Sequence, residues 1–299
     1  MGQGHDHDVR GGTGRTLALA LAITAAYTVV EVVGGFLTGS LALLADAAHM
    51  LSDNVSIALA LVAVGLAGRP ATPERTYGYK RAEVLAALAN GVTLVALSIW
   101  ISYEAFRRFG DPPDVLGGWM LVIALAGVGV NVAAGAILFR ARSRSLNVEA
   151  AYRHVFADLL GSLGVAAAAA TILVTGWLVA DPLVSVLIAG LILVSSWSIL
   201  RDSTAILLEA APKGIDTRAV GEKLAGAPGV VEVHDLHVWT ITSGFPALSA
   251  HVLVGREEDC HARRRELERL LGDQFGIEHT TLQVDHVGDG GLVEIGRFG

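Results

Sequence analysis

The stretch ADAAHMLSDN, residues 45–54, sets Asp46, His49 and Asp53 inside an otherwise apolar run. Further along, AYRHVFADLL, residues 151–160, repeats the histidine–aspartate pair as His154 and Asp158 at the same spacing. Four residues advance an α-helix by about 1.1 turns, so each pair projects from one face and offers one nitrogen and one oxygen ligand. If the two faces meet, they supply the four ligands of a tetrahedral zinc site, with metal–nitrogen bonds of about 2.0–2.1 Å and metal–oxygen bonds of about 2.0–2.2 Å. Two imidazoles suit zinc, cobalt or nickel better than magnesium or calcium, which take oxygen shells. A lone intramembrane histidine is as readily a packing residue, but an aspartate near a membrane-helix centre costs about 2.5–3.5 kcal/mol and reads as functional. Two matched pairs point to a metal. Asp46, three residues before His49, either orients an imidazole N–H or packs between helices. Glu31 reads as a neutral or paired acid lining the same polar interior.

These residues must be held by membrane helices. Of 299 residues, 53% are hydrophobic and only 17% charged, with a mean hydropathy of +0.54, values soluble domains of this length rarely reach. Six runs are long enough to span a bilayer, at about 16–37, 41–67, 82–106, 115–139, 148–175 and 182–206. The first continues past any small-residue cleavage pattern and reads as retained rather than as a signal peptide. Arg69, Arg75, Lys80 and Arg81 lie between spans two and three, and Arg140, Arg142 and Arg144 between four and five. Loops one–two and five–six have no Lys or Arg, and loop three–four offsets Arg107 and Arg108 with Asp111 and Asp114, so both termini are expected in the cytoplasm and the protein in the inner (plasma) membrane as a multi-pass chain. The net charge of −7 gives no reason to expect a nucleic-acid partner.

APKG, residues 211–214, marks the exit into a charged tail. There the periodicity predicts a helix at about 216–226, strands at about 230–241 and 247–254, a helix at about 259–274 and a strand at about 279–286. The fold class expected is therefore an α-helical membrane protein of six transmembrane helices with a C-terminal cytoplasmic α+β domain of order αββαβ. The boundaries expected are a polar N-terminal tail over about 1–15, the six-helix domain over about 16–208, the cytoplasmic domain over about 209–290 and a loose end over about 291–299. Cys260 is the only cysteine, which excludes an intramolecular disulfide framework and a thiolate zinc cluster. His237 and Trp239 fall on one strand face and read as packing residues. His5, Asp6 and His7 read as a disordered polar terminus rather than a metal collector.

SLALLADAAHMLSD, TYGYKRAEVLAALANG, LNVEAAYRHVFADLLGSLGV, VHDLHVWTIT and TLQVD occur in this order over nearly the whole chain. Together they resemble the cation diffusion facilitator family, and its zinc-transporting, prokaryotic branch in particular. The resemblance implies a homodimeric exporter of divalent metal, zinc with cadmium, cobalt or nickel as alternatives, in exchange for protons. It also implies a metallochaperone-like cytoplasmic domain. By position it assigns the transport site to His49, Asp53, His154 and Asp158, and a cytoplasmic metal set to His234, His251, His261 and Asp285. Gln283 stands where some members have a histidine. Arg81 and Glu209 match a charge pair near the cytoplasmic membrane surface. In PERTYGYK, Arg75 and Tyr79 replace the histidines of a further loop site, and RARSRSLN lacks the His-rich loop of many eukaryotic members.

Two other readings use the same ligands. A membrane metallohydrolase needs an open coordination position and a general base, which four ligands split evenly over two helices do not leave, and no HExxH occurs. A membrane metal sensor would bind the ion without moving it, and metal counterflow in sealed vesicles separates it from a transporter. The expectation is a transporter and not an enzyme.

Overall fold

The computed structural model describes residues 6–67, 70–139 and 146–288. The elements run α1 (Asp6–Thr38), α2 (Leu41–Ala67), α3 (Ala82–Gly110), α4 (Gly117–Phe139), α5 (Leu146–Thr175), α6 (Ala180–Leu207), α7 (Thr217–Ala225), β1 (Val230–Thr242), β2 (Phe245–Val254), α8 (Cys260–Phe275) and β3 (His279–His286). Five of the first six helices are long and apolar enough to cross a bilayer, counted from Leu19 in α1 and from Ala151 in α5. The 27-residue α2, which carries the polar residues, is the sixth. The chain is thus an α-helical membrane protein with an αββαβ C-terminal domain. Helix α1 reaches back to Asp6, past the polar residues that periodicity alone left outside the first span.

The chain forms two compact units, Met1–Val62 with Ala86–Leu200, and Ala63–Leu85 with Arg201–Gly299. In the first, α4 packs along α5 and α1. Its interior mixes Leu41, Leu43, Ile101, Met120 and Ile192 with the fully buried Ala42, Ala45, Ala124, Ala169 and Ala189. Such small residues let helix backbones approach closely where lipid offers no hydrophobic drive for association. At Gly127 on α4 an added Cβ would collide with the Tyr27 hydroxyl of α1, which donates to the Ile123 carbonyl oxygen at 2.8 Å. The outward residues are large and apolar, with Val174, Leu191 and Trp197 all exposed, as a lipid-facing surface requires. Helix α1 ends at Gly39, whose φ of 71° turns the chain directly into α2.

The second unit contains a three-stranded sheet of order β1-β2-β3. Strands β1 and β2 pair antiparallel, and β2 and β3 pair parallel. A parallel pair needs a crossover, and α8 supplies it, packing on β3 while α7 packs on β1. Asp216 and Asp259 cap α7 and α8 through backbone amides two and three residues on. Leu224, Leu248, Val252, Val254, Leu267, Leu271 and Ile277 fill the space between sheet and helices. Strand β1 is irregular between His234 and His237, where Asp235 has φ of 54°. Arg69, Arg140, Arg142 and Arg144, four of the seven cations behind the expected orientation, His5 and the 291–299 end lie outside the described residues.

Candidate metal centre

Helices α2 and α5 bring the two histidine–aspartate pairs face to face. His49 Nε2 lies 3.7 Å from Asp53 Oδ2 and 3.7 Å from Asp158 Oδ1. His154 Nε2 lies 3.2 Å from Asp53 Oδ2 and 3.7 Å from Asp158 Oδ2. The edge of a tetrahedron with metal–ligand bonds of about 2.0–2.1 Å is about 3.3 Å, and these separations lie within about 0.4 Å of it, an arrangement consistent with a metal site. His49, Asp53 and Asp158 form the tightest group, their ligand atoms within 4.8 Å of one another. His154 closes it through both aspartates, its ring 6.1 Å from that of His49 at 62°. His49 Nδ1, Asp53 Oδ2 and Asp158 Oδ1 are buried without hydrogen-bond partners among the described residues. The two carboxylate oxygens face the cluster and are open to a ligand there, whereas Nδ1 of His49 cannot bind the same ion as its Nε2.

Asp46 is 2% exposed. It accepts a hydrogen bond from Ser162 Oγ at 3.2 Å, and it does not hold an imidazole N–H. Ser162 in turn takes the Asn131 amide at 3.1 Å. Thus α4, α5 and α2 are tied together beside the four-residue cluster. Asn54, next to Asp53, donates to Thr28 Oγ1 of α1 at 3.2 Å. From α3, Asn90 donates to Ser52 Oγ at 2.9 Å and Ser56 Oγ at 2.7 Å. These uncharged residues hold α2 in rotation, and nothing in their local spacing marks them.

The N-terminus of α2 is fastened by a residue from the far end of the sequence. Asp181, on the first turn of α6 and fully buried, accepts the Leu41 amide at 2.8 Å, the Ala42 amide at 3.1 Å and the Ser40 hydroxyl at 2.6 Å. Ser40 Oγ takes the Leu43 amide at 3.1 Å. The first three orphan amides of α2 are therefore satisfied by two side chains. Arg108 of α3 lies 3.6 Å from Asp181 Oδ2 and donates to the Gly39 carbonyl oxygen at 2.7 Å.

In the second unit His234 and His251 are cross-strand partners on β1 and β2, with ring centroids 5.3 Å apart. On β3, Gln283 is in register with His251 and donates to Asp285 at 2.8 Å. His261 is the second residue of α8, its amide on the Asp259 cap at 2.9 Å. Among the described residues of one chain, His234, His251, His261 and Asp285 do not gather into a three-ligand group of the kind seen around His49. Cys260 Sγ, half-buried, lies 3.4 Å from His286 Nε2. Arg81 Nη2 and Glu209 Oε1 are 3.0 Å apart. Arg75 donates to the Tyr79 hydroxyl at 2.7 Å and lies over its ring, so the two residues occupy each other.

The family profile described as "Cation efflux transmembrane domain" matches residues 17–208, and "Cation efflux protein, cytoplasmic domain" matches residues 212–287. The metal cation efflux system protein CzcD of Cupriavidus metallidurans is 43% identical over 289 residues, 95% of this chain and 90% of that protein. The zinc transporter ZitB of Escherichia coli is 42% identical over 274 residues, 91% of this chain and 87% of that protein. The cadmium, cobalt and zinc/H(+)-K(+) antiporter of Bacillus subtilis is 41% identical over 287 residues, 94% of this chain and 92% of that protein. A solved structure of the metal-bound C-terminal domain of the Cupriavidus transporter aligns with 23% of this chain and 97% of its own, at 35% identity and a TM-score of 0.23. With both family profiles matched in order and relatives aligned over almost its whole length, the chain belongs to the cation efflux family, the cation diffusion facilitators.

Proposed function

We propose that this protein exports divalent metal cations, zinc first and cadmium, cobalt or nickel as alternatives, in exchange for protons. Alternating access presents the site of His49, Asp53, His154 and Asp158 to each side of the bilayer in turn. The observation that carries this reading is the convergence of two imidazoles and two carboxylates at 3.2–3.7 Å, close to the edge length zinc demands. The relatives' names, a zinc transporter and a zinc/H(+)-K(+) antiporter, support the same cargo and counter-ion. An imidazole must be neutral to bind zinc, and it ordinarily titrates near about 6.5, so metal and protons compete for the same nitrogens. Zinc then binds from a near-neutral cytoplasm and leaves toward a more acidic exterior.

The working form is a homodimer in the inner (plasma) membrane, with both termini in the cytoplasm. The dimer would complete a cytoplasmic metal set built from His234, His251, His261 and Asp285, and Arg81 with Glu209 would link that domain to the helices. The domain boundaries proposed are those of the sequence reading, about 16–208 for the helical part and about 209–290 for the cytoplasmic part. The test is zinc flux in proteoliposomes with the membrane potential clamped and only the pH difference varied, while a trapped dye records internal pH. Zinc movement that follows the pH difference, with protons moving the opposite way, is the expected result. Flux indifferent to it leaves a uniporter, and binding without flux leaves a sensor.

A further inference from the structure

Helix α2 is tied to its neighbours on two sides beside the metal centre. Asn90 of α3, buried, donates through Nδ2 to Ser52 Oγ at 2.9 Å and to Ser56 Oγ at 2.7 Å, and its Oδ1 accepts from Ser52 Oγ at 3.2 Å. Thr28 of α1, also buried, donates its hydroxyl proton to the Thr24 carbonyl oxygen at 2.9 Å. Its Oγ1 is thereby left to accept the Asn54 amide at 3.2 Å. Ser52 immediately precedes Asp53 and Asn54 immediately follows it. At 3.6 residues per turn, each residue advances the helix by about 100°. Asn54 is two residues from Ser52 and two from Ser56, about 200° in either direction, so the α1 tie and the α3 tie grip α2 on opposite sides. His49 and Asp53 fall in the arc between them. Ties on opposite sides oppose rotation of α2 about its own axis.

Such rotation acts selectively on the cluster. The separations from His49 to Asp53 and from His154 to Asp158, each 3.7 Å, lie within one helix and do not change when α2 turns as a body. The separations between helices do change: 3.2 Å from Asp53 to His154 and 3.7 Å from His49 to Asp158. A side-chain tip about 5–6 Å from the helix axis moves by about 1 Å for a turn of about 10°. Bonds to a chosen metal tolerate only about 0.2 Å. Interhelical hydrogen bonds between uncharged side chains contribute modestly to membrane-protein stability, so a variant lacking one tie is expected to fold.

We propose that Asn90 and Asn54 are specificity-determining positioning residues, which hold α2 at the rotation where the two inter-helix edges suit zinc and so disfavour the larger cadmium ion. Asn90 acts through Ser52 and Ser56, and Asn54 through Thr28; both act by way of α2 rather than as ligands. Loss of either tie frees α2 to turn, lets the site widen, and costs zinc more than cadmium. The inference rests on the metal-site reading above.

The experiment is calorimetric titration of the full-length protein with zinc and, separately, with cadmium at one pH. Binding that survives in Asp158→Ala is subtracted, so that only the membrane site is compared. The readout is the cadmium-to-zinc affinity ratio, because a fraction of unfolded protein removes sites for both ions alike. Asn90→Leu keeps the branched shape of the side chain and removes the amide. It is expected to weaken zinc by about 10-fold, as loss of a partner outside the ligand set does, and cadmium less, so that the ratio rises by about 3–10-fold. Asn54→Leu is expected to move the ratio in the same direction. Ser52→Ala combined with Ser56→Ala deletes the α3 tie from its other end and serves if Asn90→Leu does not fold. Loss of zinc binding in Asp158→Ala, together with a parental ratio in folded variants lacking either tie, overturns the proposal alone. Parental zinc binding by Asp158→Ala overturns the metal-site reading and the proposal with it.

Discussion

Asp181, the second residue of α6, accepts the backbone amide of Leu41, the first residue of α2, at 2.8 Å. The two are 140 residues apart in sequence, yet this contact sets where the helix bearing His49 and Asp53 begins. Asp181→Ala leaves the Leu41 and Ala42 amides and the Ser40 hydroxyl without an acceptor, at about 1–3 kcal/mol for each buried group. The thermal midpoint of the solubilised protein should fall sharply and zinc flux with it. Asp181→Asn keeps one acceptor oxygen and should recover part of both. An alanine variant as stable as the parent would refute the clamp.

Removal of a ligand should act on transport without acting on fold. Asp158→Ala and His49→Ala are each expected to weaken zinc binding by more than about 100-fold, beyond what loss of a supporting hydrogen bond does. The proposed dimer should persist by light scattering. Parental flux in either variant would exclude that residue from the site.

Changing the ligand chemistry rather than deleting it should redirect the ion. His49→Asp makes the site richer in oxygen, which suits harder or larger ions, so competition by manganese and cadmium should rise relative to zinc. Unaltered ion competition would mean that His49 does not set preference.

Arg81 and Glu209 are 37% and 61% exposed, so their pairing contributes at most about 1 kcal/mol to stability. Its effect should show in transport instead. In a double-mutant cycle, Arg81→Ala and Glu209→Ala are expected to be non-additive in zinc flux, with each single variant close to the parent in thermal midpoint. Strict additivity would make them two unrelated surface charges.

The α8 cap has a defined pH dependence. The Ala262 and His261 amides hold the Asp259 carboxyl below the ordinary carboxylate range. A carboxyl depressed in the folded state contributes stability that is present above its unfolded value, about 3.9, and is lost as pH falls through the folded one. The protection of the His261 and Ala262 amides, measured against their intrinsic exchange rates at each pH, should therefore be high near neutrality and fall on strong acidification. Asp259→Ala should abolish that pH dependence, and an unchanged profile in the variant would count against the cap.

The convergence of His49, Asp53, His154 and Asp158 was legible because a four-residue spacing on a helix fixes a shared face without any knowledge of the fold. The six spans and the αββαβ order were legible for the same reason, since apolar run length and periodicity are local. Asp181 was not, because its partners Ser40, Leu41 and Ala42 lie in another helix and its own surroundings look like an ordinary helix start. Asp46 was visible as an anomaly, but its partner was not. A serine on α5 resembles any small residue in a membrane helix, and only the packing of α5 against α2 makes Ser162 a donor. The cytoplasmic set was carried by resemblance alone, and one chain brings His234 to His251 but does not gather His261 and Asp285 around them.

Cys260 opens α8 with its sulfur 3.4 Å from the His286 ring, and the chain has no other cysteine. A maleimide fluorophore or nitroxide can therefore be attached to the native sequence at one place, with no residues to engineer away. In the proposed dimer each copy carries one label, so a single inter-label distance reports the separation of the two cytoplasmic domains. Titrating zinc against that distance, in parent and Asp158→Ala proteins, would distinguish domain movement caused by cargo in the membrane from movement caused by metal on the domains themselves.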